Sequence, residues 1–317
     1  MRSGGAARVP PSVLPSAARH KQRALAWKTS TIHLLMRRSP LMAELPEIEI
    51  ARRDLDKEIT GRRVKTVDVP GTKKALPAMR SKQQFADLLE GKKILSVSRD
   101  GTLLLFDLGP DEVMVAHFGA TGSLRRATSR TPQDPDTKVV LTFTKGGQLR
   151  LLDSGAEATL RVIAKNRYHK VFPDQVDLGF DPVDMPMPWT DFAFMLRGRS
   201  DTIRDLLLDA TFVVGFGPMY SDEVLHAARL SHARVASELN TQEVRRLYRA
   251  IVETVHNSIK YRGSGTSGHL DIFGKSGGFD PYLEVFGRAG ERCRNGRGDV
   301  LTTVIRGVTH HYCDYQV

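Results

Sequence analysis

The sequence predicts an α+β protein in which an N-terminal helix and an antiparallel β-sandwich are followed by a helical half. Three observations carry this. Between Met42 and Ile59 apolar residues recur at helical spacing; from Val64 to Leu152 short apolar runs alternate with turn residues; from Trp189 to Tyr261 the helical period returns. A chain of 317 residues is long enough to bury two such cores. No run approaches the length of a membrane span, so no membrane partner is expected.

Residues 1–41 hold eight Lys or Arg and no acid, are rich in Ala, Ser and Pro, and lack sustained periodicity. That composition suits a transit peptide or a basic arm. The reading adopted is a disordered leader or a mis-assigned start, with translation beginning at Met42. The formal charge of +11 suggests a polyanionic partner. Beyond the leader, however, 39 basic residues face 36 acidic ones, so any nucleic-acid footprint must be local. Only two cysteines, Cys293 and Cys313, point to a reducing compartment, where a disulfide between them is not expected.

In the first helix Leu45, Ile48, Ala51, Leu55 and Ile59 form one apolar face, and Pro46 suits the first helical position. Glu44 and Glu47 fall at the positive end of its dipole, where they either complement that dipole or serve as a pair of working carboxylates. The runs that follow are Val64 to Val69, Ile94 to Ser98, Thr102 to Leu108, Val113 to Phe118, Val139 to Phe143 and Leu149 to Leu152. Asp100-Gly101 and Gly146-Gly147 lie between adjacent runs as hairpin turns. Pro173 to Pro188, rich in Pro and Asp, reads as the interdomain link. Thr241 to Tyr261 is an amphipathic helix with Val244, Leu247, Ile251, Val255 and Ile259 on its core face.

Four stretches carry a resemblance: ELPEIE at Glu44, HFGATGSL at His117, the long run from Asp201 to Leu239 containing GFGPMYSDE, and GKSGGFDPYLEVFGRAGERC ending at Cys293. Together, from Met42 to the end, they resemble the bacterial formamidopyrimidine-DNA glycosylase and endonuclease VIII family. The resemblance implies a catalytic β-sandwich domain over 42–172, a linker over 173–188, a helix-two-turn-helix domain over 189–265 and a zinc-finger-like β-hairpin over 266–317. It further implies base-excision repair: a flipped damaged nucleotide is attacked at C1′ by the N-terminal amine, giving a Schiff base that eliminates phosphate. By position Ala43 supplies the amine in place of the usual Pro, Glu44 acts as acid and base on the sugar, and Glu47 helps hold the N-terminus. A primary amine still forms a Schiff base, and a free α-amine titrates at about 7.7–8.0.

The resemblance also implies DNA contacts. Gly215 and Gly217 let the backbone approach a phosphate that N–H groups of the next helix hold, with Tyr220 in the same element. Pro218 replaces an Asn there and removes one donor. Arg197, Arg199 and Arg204 lie near the family's phosphate-binding lysines, and Arg306 is similar to its finger-tip Arg. Other DNA-facing positions have changed: Ala120 stands where a wedging Met is usual, Gly101 where a Lys is, and Asp153 to Ala158 replaces an Arg-bearing loop. Cys293 and Cys313 match the first cysteine of each zinc-binding pair, with Gly296 and Gln316 at the second positions. Structural zinc needs four ligands, and His311 would bring this set only to three, so no cofactor is assigned. The implied partner is duplex DNA with a damaged base or abasic site, met by a monomer in a bacterial-type cytoplasm, at the nucleoid when bound. The alternatives are a catalytically weak or inactive damaged-DNA-binding paralogue and a protein-binding scaffold.

Overall fold

Helix α1 (Leu45–Ile59) carries apolar residues on two faces, and it enters two cores. Ile48, Ala51, Leu55 and Ile59 pack beneath β-sheets, while Leu45 and Ile50 pack among the helices of the second half. In this computed structural model the described residues are 43–71, 73–77, 81–266 and 268–316; the leader reading of 1–41 falls outside them.

The first core lies between two four-stranded antiparallel sheets. One has the order β1 (Val64–Asp68), β6 (Thr137–Phe143), β7 (Gln148–Asp153), β5 (Gly122–Ala127). The other runs β2 (Val97–Asp100), β3 (Leu103–Asp107), β4 (Glu112–His117), β8 (Thr159–Ala164). Alternate side chains of each meet inside: Leu104 and Phe106 from β3, Leu141 from β6, Leu149 and Leu151 from β7. The two expected hairpin turns, Asp100-Gly101 and Gly146-Gly147, join β2 to β3 and β6 to β7. Strands β5 and β8 and helix α2 (Lys82–Leu89) escaped the periodicity reading. Each gives the core only one to three side chains amid polar residues, such as Leu124 in β5 and Phe85 and Leu89 in α2.

A short helix α3 (Tyr168–Val171) packs through Tyr168 against Leu103, Val113 and Val115 of the second sheet; the helical half comprises α4 (Trp189–Leu196), α5 (Ile203–Leu207), α6 (Pro218–Ala228) and α7 (Thr241–Lys260). Asn240 caps α7 by accepting from the Gln242 and Glu243 N–H groups, and all five residues of the expected apolar stripe are buried. Residues 173–188, read as a link, are tied at both sides. Phe180 lies in the second core against Phe192 and Tyr248. Asp181 and Asp184 bind the guanidinium of Arg99, which also reaches Glu49 of α1. Removing so enclosed a guanidinium would strand buried carboxylates, at a cost of roughly 3–5 kcal/mol. After α7 the chain returns to the sandwich. Ile272 inserts into its core, and the Arg126 N–H donates to the Ile272 carbonyl.

The C-terminal hairpin pairs β9 (Val300–Ile305) with β10 (Val308–Cys313) and with no other strand. An isolated ribbon of this kind is marginal. It is fastened by a Cys293–Cys313 disulfide around a small cluster of Val285 and Val300. This corrects the expectation of unpaired cysteines. It also corrects the three-ligand zinc candidate: Cys293 and Cys313 are spent on each other, and His311 turns to Asp222. Among the described residues no group of three or more His, Cys, Asp or Glu is placed to hold a metal. With Gly296 and Gln316 contributing no thiolate, the register that brings the two Cα atoms to 6.5 Å leaves the sulfurs only one another. A bond closing a separation of 20 residues contributes about 3 kcal/mol. Dithiol reduction or Cys293→Ser should therefore lower Tm by about 6–12 °C in differential scanning fluorimetry, while far-ultraviolet circular dichroism below the transition stays unchanged.

Candidate active site

Pro46 starts α1, which leaves Glu44 as the residue before the helix, in extended conformation. Its side chain shares a capping box with Glu47, and it also reaches further. It crosses to α6, where Oε2 accepts from the Gly217 N–H at 2.7 Å and the Tyr220 N–H at 3.2 Å, and Oε1 from the Met219 N–H at 3.0 Å. These are the orphan donors of a helix N-terminus, so the positive end of α6 faces a carboxylate of the chain itself. Gly217 permits the approach, since a Cβ there would lie 2.7 Å from the Glu44 carboxyl carbon. At Gly215, with φ of +67°, the carbonyl turns to accept the Leu45 N–H at 2.7 Å.

Glu47 sits one turn inside α1 and is also buried. One oxygen accepts the Glu44 N–H at 3.2 Å; the other accepts the Tyr220 hydroxyl at 2.7 Å and the Ser264 N–H at 3.0 Å. Ser258 of α7 bonds the same tyrosine oxygen. Burial first, and the neighbouring Glu47 second, push the Glu44 carboxyl up to about 8. Burial likewise raises Glu47. Two carboxyls so placed share protons as a unit. Ala43 is half-buried against the sandwich core, directly before this pair.

The expected DNA contacts divide. The N–H groups of Gly217, Met219 and Tyr220, read as a phosphate cradle, hold Glu44 instead, and Tyr220 is fully buried, its hydroxyl committed to Glu47. The reason is reach: a Glu at the start of α1 lies closer to this helix end than any external anion could. Pro218, at the first position of α6, has no N–H, and the three donors around it suffice. Arg204 is only 3% exposed, and its Nε and Nη2 lack protein partners. Arg199 is half-buried, and Arg197 is exposed with its guanidinium over the Phe194 ring. Arg306 occupies the hairpin turn, with its side chain 63% exposed and 3.1 Å from Asp205 of α5.

The altered loops bind each other. The Ala120 N–H donates to Glu157, Thr121 to Asp153, and the Ala158 N–H to Asp153. Sequence reasoning missed Ser258, Ser264 and the next two acids of α6. Asp222 receives His310, the His311 ring and the His311 N–H, while Glu223 accepts the N–H groups of Glu284, Val285 and Phe286. Signals existed for three of the four: Asp222 and Glu223 close the GFGPMYSDE stretch, and Ser258 is a polar residue on the apolar stripe of α7, three positions after Val255.

A carboxyl whose folded pKa lies above its unfolded value stabilises the fold below the unfolded pKa and loses that contribution as pH rises through the folded one. For Glu44, moving from 4.5 to about 8, stability should therefore fall between about pH 5 and pH 9 by about 5 kcal/mol. Glu44→Gln should flatten that part of the slope in urea titrations across the range. The share due to Glu223, raised by burial to about 7, should remain.

The formamidopyrimidine-DNA glycosylase N-terminal domain matches residues 42–156, and the H2TH domain of the same family matches 178–269. The formamidopyrimidine-DNA glycosylase of Heliobacterium modesticaldum is 33% identical over 277 residues, spanning 86% of this chain and 98% of its own. That of Cytobacillus firmus is 32% identical over 272 residues, with the same two shares. Among solved structures, Lactococcus lactis Fpg in complex with abasic-site DNA superposes with a TM-score of 0.77 at 27% identity, covering 86% of this chain and 98% of that one. The Lactococcus lactis protein bound to DNA containing Fapy-dG superposes with a TM-score of 0.75 at 28% identity, covering 85% of this chain and 98% of that one. The chain belongs to the formamidopyrimidine-DNA glycosylase family.

Proposed function

We propose that the protein is a base-excision-repair DNA glycosylase with AP lyase activity, acting on duplex DNA that carries a damaged base or an abasic site. The observation that carries the mechanism is the Glu44 carboxyl, buried beside Ala43, fixed by three N–H donors and pushed up to about 8. Near neutral pH such a group can both give and take a proton. In a chain beginning at Ala43 the free α-amine attacks C1′ of the flipped nucleotide. The C1′–N bond to the base breaks as the new bond to the amine forms, and the departing base takes up the proton that the amine gives up. Glu44 hands its proton to the ring oxygen as the C1′–O4′ bond opens to a protonated Schiff base; its carboxylate then takes a C2′ proton, and the 3′ phosphate leaves. Glu47 keeps the Glu44 backbone in place through the Glu44 N–H.

On the DNA side, Arg306 at the hairpin turn and Arg199 supply phosphate contacts, with Arg204 behind them. Gly215, Gly217 and Tyr220 serve by shaping the site that holds Glu44 and Glu47. No helix of the described residues is long and apolar enough to cross a membrane. On this reading the protein works as a monomer on cytoplasmic, nucleoid DNA. The second reading, a damaged-DNA-binding paralogue with weak chemistry, draws on one observation. The loops at 119–121 and 153–158 satisfy each other and present no large side chain for a stack of bases.

Borohydride trapping on an abasic duplex, using protein whose N-terminus at Ala43 is verified by mass spectrometry, tests the proposal. A covalent adduct mapping to Ala43 is expected, and Glu44→Gln should slow base excision by about 10²–10⁴-fold. Tight duplex binding without an adduct would favour the second reading.

A further inference from the structure

Glu47 is faced from every side by groups that can be named. Its own segment gives Glu44, α6 gives Tyr220, α7 gives Ser258, and the loop after α7 gives Ser264 with Arg262, His269 and Asp271 around a water-sized cavity. Arg262 is committed to Asp54 and Asp271. Burial lowers the His269 pKa to about 4, which keeps that ring neutral near pH 7. What meets the Glu47 oxygens directly is three donors: the Glu44 N–H, the Ser264 N–H and the Tyr220 hydroxyl. Two of the three are N–H groups that can only donate; the third, the Tyr220 hydroxyl, donates to Glu47 with the Ser258 hydroxyl on its other side, and in that orientation all three favour the carboxylate.

Two of those donors are backbone and cannot be withdrawn. The third is a side chain with a single hydroxyl proton. Given to Glu47, that proton leaves the Tyr220 oxygen an acceptor, and Ser258, fully buried on α7, must donate to it. The result is a one-way chain from Ser258 through Tyr220 to Glu47, running through helices that hold no other catalytic group. Burial works against it by favouring the neutral acid, so the hydroxyl holds the balance.

We propose that Tyr220, backed by Ser258, is a positioning residue that keeps Glu47 a carboxylate aimed at the Glu44 N–H and thereby holds the Ala43–Glu44 peptide in its working place. This rests on the assignment of Ala43 and Glu44 to the chemistry. It gives the buried tyrosine a role separate from DNA contact, and it gives a serine on a core stripe a role beyond packing.

The full chain carrying Tyr220→Phe or Ser258→Ala tests the charge directly through thermal stability. Without the phenol, Glu47 holds a proton to higher pH, so ionising it costs more of the fold. The Tm deficit of Tyr220→Phe should be wider by about 3 °C or more at about pH 8.5 than at about pH 5.5, and that of Ser258→Ala should change in the same direction by less. A deficit equal at both pH values would mean packing alone and overturn the proposal. On protein processed to Ala43, the acid limb of the borohydride-trapping rate should move up by about one unit in Tyr220→Phe. A profile superimposable on that of the unaltered protein would overturn the positioning role. Unaltered protein that forms no adduct, yet shows the pH-dependent Tm deficit in the variant, would overturn the amine chemistry and support Tyr220 as the residue that sets the charge of Glu47.

Discussion

The contact on which the site depends is a carboxylate laid across the start of a helix. Glu44 belongs to the sandwich side and α6 to the helical side, and three N–H donors of α6 close on it. Helix ends attract anions, and this one is occupied from within. The interaction therefore does two things at once: it sets the angle between the halves where they meet, and it removes a reactive carboxyl from water. A surface ion pair could do neither, because solvent would screen it and leave its pKa in the ordinary range.

α6 carries more than Glu44. Tyr220 reaches Glu47, Asp222 takes both histidines of β10, and Glu223 ties the segment before Cys293 through three N–H groups. Four attachments thus meet on eleven residues of helix and its N-cap, one at backbone N–H groups and three through side chains, two serving the amine site and two the hairpin. The hairpin then needs little of its own. A disulfide and a handful of apolar residues suffice where the resemblance implied a metal with four ligands.

Much of this was legible in the sequence, for reasons that differ by residue. The apolar face of α1 and the stripe of α7 announce themselves because burial on one side of a helix imposes a period, but that Leu45 and Ile50 enter a second core was not visible in that single face. The Gly-rich turns of the first sheet announce themselves through backbone conformations that few other residues adopt. Glu44 and Glu47 could be singled out, but their partners could not, since a bond from Glu44 to Gly217 spans 173 positions and backbone donors leave no mark in the residue code. Tyr220 was assigned to DNA for the same reason: its position in a DNA-binding motif is visible, whereas its burial is a property of the packed protein. The cysteine pairing was misjudged because the compartment was inferred from cysteine number, while pairing depends on strand register.

The exchange of single side chains between the two cores has a consequence for unfolding. Leu45 and Ile50 fill the helical core from the sandwich side, and Ile272 fills the sandwich core from beyond α7. Cut anywhere in the stretch around Phe180, each piece would expose a socket shaped for a residue on the other. Each half closes the other's core, so the two are expected to unfold as one unit.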